Sequence, residues 1–449
     1  MKQILIENCS FLVKNAGEVL EDVDLLIGGS KIEKIGKGLG KICGQARRFD
    51  GRGKIAAPGF VNTHTHLYQN MLKGIRDDLG LKAWCETVTF PFAALIHRYE
   101  HEDNFDLAYY YGLLGAMEMI HCGITTFVDM DIMADSLFEA WEQIGVRGIG
   151  AIQAVNRWVP KELLISDDER KKKIAAYIHR WHNRGLLQVA LAPSTPFACT
   201  PDFLEWQKNT AGEYNLNMFI HVSETRWEVE QSMADVGMTP LAYLDSLGFL
   251  SRPFCAVHGV HFTEREMDLA REKQVTVCYN PKSNAKLGSG IAPVHALIKR
   301  GIPVCVATDG AASNDLLDIF EDMRFGILLQ KAKMEDSRIL EADDMYRMAT
   351  SAGGKLLNLP VGELEEGKLA DIIIMDAGAA HFAPVHNIIQ QIVYCGKETD
   401  VETVIIGGRV VMKDRVIETV DETLLKNQAA DLVRKCYPGL RRDQLEADF

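Results

Sequence analysis

Short apolar runs recur eight times between Pro58 and about Leu359, with amphipathic, helix-like stretches between them. The runs are Phe60 to His66, Gly123 to Met130, Arg147 to Ala154, Leu187 to Pro193, Asn217 to Glu224, Pro253 to Val260, Val275 to Pro281 and Pro303 to Gly310. Strands that alternate with helices specify parallel βα units, and eight such units specify a closed α/β barrel. Barrels of this kind carry their chemistry at the C-terminal ends of the strands. The residues that close each run therefore bear most directly on what the chain does.

The first run closes on two histidines one residue apart. Side chains alternate faces along a strand, so His64 and His66 point the same way, about 7 Å apart along the chain, as a chelating pair. His221, His258 and Asp309 close three further runs. Five imidazole or carboxylate groups at strand ends is more order than chance placement of 13 histidines gives, and it points to a catalytic divalent metal. His97, His101, His179 and His182 lie in charged, helix-like stretches and are expected at the surface. His121, just before Cys122-Gly123, is expected at a helix C-terminus, where the dipole favours it. His261 fits either description.

The flanks differ from this centre. Leu25 to Ile35 and Val404 to Met412 each place Gly-Gly between two strand-like runs, a two-residue hairpin signal. One discontinuous β domain is therefore expected from residues 1–57 and 363–449, around a barrel of residues 58–362, with Asp421 starting a final helix. A chain of 449 residues is long enough for two such cores. The segment Leu67 to Leu95 is too long for a routine βα connection and is expected to cover the active site.

Charge narrows the partners. A formal charge of −13 with no basic stripe argues against nucleic acid, and Arg170 to Lys173, directly after Asp167-Asp-Glu169, reads as a solvated helix face. Ten cysteines occur without Cys-x-x-Cys pairs, and Cys255, Cys278 and Cys305 sit inside apolar runs, the usage of a reducing compartment. Neither a signal peptide nor a bilayer-length apolar stretch is visible. The expectation is a cytoplasmic protein without membrane or nucleic-acid partners, forming a homo-oligomer and acting on a small neutral or cationic molecule.

With His64, His66, His221 and Asp309 as ligands, Zn²⁺ or Fe²⁺ keeps a position open for water and lowers its pKa towards about 7. Glu224 leaves the fifth strand three residues after His221, in His-Val-Ser-Glu, close enough to reach the rim without replacing the ligand, as a proton shuttle. The fourth strand ends in Pro193-Ser-Thr195, with no lysine to bridge two ions, so one metal per subunit is expected. Three imidazoles and a carboxylate favour zinc, while availability leaves iron and manganese open. Such mononuclear sites suit hydrolytic displacement at an unsaturated carbon, especially loss of ammonia from an aromatic amidine.

Five segments together carry a resemblance: Pro58-Gly-Phe-Val-Asn-Thr-His-Thr-His66, His221-Val-Ser-Glu224, Val257-His-Gly-Val-His261, Asn280-Pro-Lys-Ser-Asn284 with Lys286 to Pro293, and Thr308-Asp-Gly-Ala-Ala-Ser-Asn314. With Gly362 to Asp371 they resemble the deaminase and chlorohydrolase branch of the amidohydrolase superfamily, most of all methylthioadenosine/S-adenosylhomocysteine deaminases. The resemblance implies a distorted, TIM-like (β/α)8 barrel with a small β-sandwich and a metal on His64, His66, His221 and Asp309. It further implies that His258 polarises the water or the developing oxyanion, that Glu224 moves a proton to the ring nitrogen, and that Asp309 assists. Trp84 matches a tryptophan that packs on substrate, and Ser313 belongs to the last motif at the substrate side.

Departures from that pattern concern the substrate. Ala93 stands where nucleoside deaminases carry a glutamate for ribose hydroxyls, Ser194 where they carry a histidine, and Gln153 near an expected arginine, while Tyr279 replaces a frequent histidine. His66-Leu-Tyr-Gln69 instead resembles members acting on free bases, pterins and triazines, which makes Gln69 either an amide contact to a heterocycle edge or a loop buttress. The leading expectation is a deaminase of a free base or pterin. A nucleoside deaminase, a triazine chlorohydrolase or aminohydrolase, and a non-catalytic structural homologue are the alternatives, the last disfavoured because every ligand and Glu224 are present.

Overall fold

Each of the eight apolar runs forms a strand in the computed structural model, which describes residues 3–41, 43–102, 107–251 and 254–436. Pro253, the side chains of Glu100 and His101, and the end of the chain beyond 436 lie outside the described residues. The barrel strands are Phe60–Thr65, Ile124–Asp131, Arg147–Gln153, Gln188–Ala192, Met218–Val222, Phe254–His258, Thr276–Tyr279 and Val304–Val306. They pair in parallel with their sequence neighbours throughout. Their inward faces form a packed interior from residues such as Val61, Met130, Ile149, Ala190, Phe219 and Val257, as expected of strands covered on both sides.

Closure between the eighth strand and the first is made just past the end of the short eighth strand. Asn62 donates its amide to Thr308 Oγ1 at 2.8 Å and accepts from the Thr308 N–H at 3.1 Å, and the Asp309 N–H donates to the His64 carbonyl at 3.1 Å. A side-chain amide thus substitutes for part of a ladder. The same contacts bring Asp309 against the histidine pair, so the seam of the barrel and the centre of the site coincide.

A second, nine-stranded and mostly antiparallel sheet takes strands from both chain ends. Ile372–Asp376 pairs with Lys54–Pro58 and knits the two ends together. One face buries a separate apolar cluster including Ile6, Leu25, Ile27, Ile372 and Ile405; Ile55, Ile373, Met375 and Val404 join the main core with the barrel helices. The two Gly-Gly turns meet: Gly408, at φ 74°, lies so close to the Gly29 carbonyl that a β-carbon would collide with it. Arg147, which opens the third barrel strand, forms a buried two-point ion pair with Asp371 at 2.7 and 3.0 Å, and Asp371 also accepts from the Gly407 N–H at 2.7 Å.

No helix among the described residues is long and apolar enough to cross a membrane. The segment after the first strand runs through a 3-10 turn at Leu67–Leu72 and a helical stretch from Leu81 to Glu102, and Tyr68, Trp84, Phe90 and Ala93 from it line the cavity beneath.

Candidate active site

The five strand-end groups converge. His64 and His66 lie with ring centroids 4.7 Å apart, and His221 is 5.0 Å from His64 and 5.4 Å from His66. Asp309 Oδ1 sits 3.4 Å from His64 Nε2 and 3.6 Å from His66 Nε2. Potential ligand atoms of His64, His66 and Asp309, and of His64, His221 and His258, fall within 4.8 Å of one another. Thr65 faces the other way and donates its hydroxyl to the Asp309 carbonyl at 3.0 Å, as strand alternation requires.

Backbone carbonyls set the tautomers of two rings. His66 Nδ1 meets the Met130 carbonyl at 2.5 Å and His221 Nδ1 the Ser194 carbonyl at 2.8 Å, so each Nδ1 carries the proton and each Nε2 offers a lone pair. Burial and the neighbouring imidazoles hold both rings below the ordinary histidine range, His66 at about 4. His64 is wholly buried, and neither of its ring nitrogens has a hydrogen-bond partner among the described residues. Burial raises the Asp309 carboxyl, but His64, His258 and His66 more than offset it and hold Asp309 well below the usual carboxylate range.

Opposite these groups, His258 Nε2 lies 3.3 Å from Glu224 Oε2 and 3.9 Å from Asp309 Oδ2. Burial, Asp309 and Glu228 push Glu224 well above the ordinary glutamate range. Ser289 donates to its Oε1 at 3.0 Å. Glu228 accepts from the backbone N–H groups of Ser223 and Glu224 at 2.9 and 2.7 Å and so fixes the turn that aims Glu224. Four strand-end residues, Ser194, Ser223, His258 and Asp309, adopt left-handed backbone with φ between 54° and 77°, strain of the kind concentrated at functional sites.

The groups sit in a cavity of about 840 Å³, lined also by Gln69, Trp84, Ala93, Gln153, Ser194 and Ser313. Several of these already have protein partners. Gln69 accepts from the Ala312 N–H at 3.3 Å and buttresses that turn. Gln153 donates to Ser194 Oγ at 3.0 Å, and Ser283 donates to Asp309 Oδ2 at 2.7 Å, with its hydroxyl oxygen 2.9 Å from Ser313 Oγ.

The remaining histidines separate in the structure. His179 is exposed as expected and borders the cavity mouth, while His97, also expected at the surface, is half-buried in the cavity lining; His182 is half-buried too and accepts the Val189 N–H. His121 ends its helix as expected. His261 is close to the Glu224 support, since its Nε2 contacts the Ser289 carbonyl at 2.8 Å. Glu228 escaped the sequence reading, and Asn280, Asn284 and Ser289, although they lie in segments that carry the resemblance, had no role assigned there; the i, i+4 spacing of the two asparagines around Pro281 was the available signal.

The family model described as "Amidohydrolase family" matches residues 55–411. The chain is 36% identical over 424 residues to a 5'-deoxyadenosine deaminase of Methanosphaera stadtmanae, covering 93% of this chain and 96% of that one. It is 37% identical over 426 residues to a 5-methylthioadenosine/S-adenosylhomocysteine deaminase of Thermoanaerobacter pseudethanolicus, covering 93% and 95%. Among solved structures, an adenosine deaminase from Xanthomonas campestris with bound zinc superposes with a TM-score of 0.88 at 28% identity, covering 97% of this chain and 98% of that one.

Proposed function

Because this chain belongs to the amidohydrolase family, we propose that it is a metal-dependent aminohydrolase, releasing the exocyclic amine of an N-heteroaromatic ring as ammonia. One observation carries this reading: buried His64, whose nitrogens lack hydrogen-bond partners, lies among two Nε2 lone pairs and the Asp309 carboxylate, opposite Glu224 and His258. Buried polar atoms are rarely left unmatched. A single divalent ion, zinc by donor type, fits His64, His66, His221 and Asp309.

Bound there, the ion would supply a water whose pKa it lowers towards about 7. Glu224 gives its proton to the ring nitrogen next to the carbon under attack, which makes that carbon more electrophilic, and then accepts the proton of the water. His258 holds the attacking oxygen through Nε2–H, and Asp309 takes the proton left on the added oxygen and passes it to the departing amine. The apolar walls of the cavity exclude bulk water and strengthen each of these contacts.

Ala93, and Gln153 already bonded to Ser194, offer little to ribose hydroxyls, which supports a free base or pterin as substrate. A cavity of about 840 Å³ and relatives named for nucleosides support a second reading, a nucleoside deaminase. Elemental analysis combined with ammonia release from bases, pterins, nucleosides and triazines tests both. The expected result is one metal per chain and kcat/KM for an aminated free base or pterin at least about tenfold above adenosine, methylthioadenosine or S-adenosylhomocysteine. Efficient nucleoside turnover with inert bases selects the second reading; ammonia from none of them by the metal-loaded protein overturns both.

A further inference from the structure

Outside the metal cluster the same cavity is walled by four aromatic rings from four separate segments: Phe90, Trp158, Phe197 and Trp227. Trp158 lies 5.1 Å from Phe90, 5.1 Å from Phe197 and 5.6 Å from Trp227, and Phe197 is 5.2 Å from Trp227, centroid to centroid. All four are half-buried, with surface left to face a ligand. Two local features hold the arrangement. Trp158 adopts φ 44°, rare for so bulky a residue, and the Lys82 ammonium lies over Trp227 at 5.6 Å.

Several polar groups along this part of the wall are already engaged. Asp135 takes Arg180 and the Trp181 indole N–H, Arg170 donates to the Leu163 carbonyl at 3.1 Å, and His179 pairs with Tyr214 at 3.4 Å. A polar or ionic substituent gains little by displacing such pairs. A flat apolar one gains face and edge contacts with several rings at once. The volume agrees: about 840 Å³ lies towards the upper end of the roughly 300–1,000 Å³ of ligand pockets, and a bare bicyclic ring fills only a small part of it.

We propose that the substrate's heterocycle carries an aryl or arylalkyl substituent that docks among Phe90, Trp158, Phe197 and Trp227, an inference resting on the deaminase reading. Its test compares 9-benzyladenine with adenine and 6-benzylpterin with pterin. Binding of 9-benzylpurine and 6-benzyl-2-deaminopterin, which lack the amine, is followed in parallel by calorimetry and tryptophan fluorescence. For the ring system that is turned over, the benzyl compound should have the higher kcat/KM by about tenfold or more. Trp227→Ala should lower that ratio about tenfold, Trp227→Phe should restore most of it, and Phe197→Leu should lower it independently. A benzyl-to-parent ratio of one or less overturns the proposal. So does an equal loss for both partners of a pair in folded Trp227→Ala and Phe197→Leu proteins. If no compound yields ammonia, the deaminase reading fails on its own, and the binding data decide this proposal: benzyl-dependent affinity lost in Trp227→Ala upholds it, and no benzyl-dependent affinity overturns it.

Discussion

Asn284 turns its side-chain amide onto Nδ1 of His258 at 2.9 Å, and that contact decides which nitrogen of the ring can act. Asn280 makes the same approach at 3.1 Å. With both amides donating, Nδ1 is an acceptor and the proton resides on Nε2, the nitrogen that faces Glu224 and Asp309. That placement supports the proposed role of His258 as a hydrogen-bond donor to the reacting centre over that of a fifth ligand, although it lies within reach of the ligand cluster.

Asn284→Asp reverses that assignment. A carboxylate accepts from Nδ1–H and leaves Nε2 bare, so kcat is expected to fall by roughly 10²-fold with the metal retained. Metal analysis and steady-state kinetics check this together. Full turnover would show that the tautomer does not matter.

Glu224→Gln removes the proton carrier without touching a proposed ligand, and kcat is expected to drop by roughly 10² to 10⁴-fold at unchanged metal content. His66→Ala should instead lose the ion. Near-normal turnover of Glu224→Gln would reassign the shuttle.

Asp318 caps the helix Ile319–Met334 by accepting the Phe320 N–H at 2.9 Å. Burial, with Glu321 and Glu398 nearby, raises it from 3.8 to about 6, partly offset by that bond. The unfolded chain ionises this group first as pH rises, so its effect on stability is fully favourable below about 4 and is lost by about 6. Asp318→Asn keeps the cap without the charge. It should stabilise the protein at pH 7 by up to about 3 kcal/mol, with the gain shrinking towards pH ~4. Urea titrations across that range would refute this by showing a constant difference.

Asp371→Ala leaves the Arg147 guanidinium buried without its carboxylate and frees the Gly407 N–H. A loss of about 3–5 kcal/mol is expected in chemical denaturation. The double change Arg147→Met with Asp371→Leu should recover part of it, since removing both charges avoids the orphan. A single variant as stable as the parent would mean that water reaches the pair.

The barrel strands were legible because burial on both faces demands continuous apolar runs, and the polar residues ending them, such as His221 and Asp309, stand out against that background. The two ends of the chain share a local signal, the Gly-Gly turns at 28–29 and 407–408, which the structure packs against each other. Glu228 was not legible: a glutamate in a helix's first turn looks solvated unless one knows that Ser223 turns left-handed and presents two backbone N–H groups to it. Trp158, Phe197 and Trp227 were missed for a related reason. Each lies in a loop or first helical turn with no periodicity to mark its direction, and only the tertiary fold gathers them. His97 was misread because a charged helix face can border a cavity as well as solvent.

Left-handed backbone at Ser194, Ser223, His258 and Asp309 constrains how this protein can diverge. At such a position glycine relieves about 1–3 kcal/mol but deletes the side chain, and other residues keep the strain without the chemistry. Drift is thereby steered away from the strand ends and towards the segments that carry Phe197 and Trp227, whose backbone has no left-handed strain. Descendants of such a chain inherit one reaction and trade substrates.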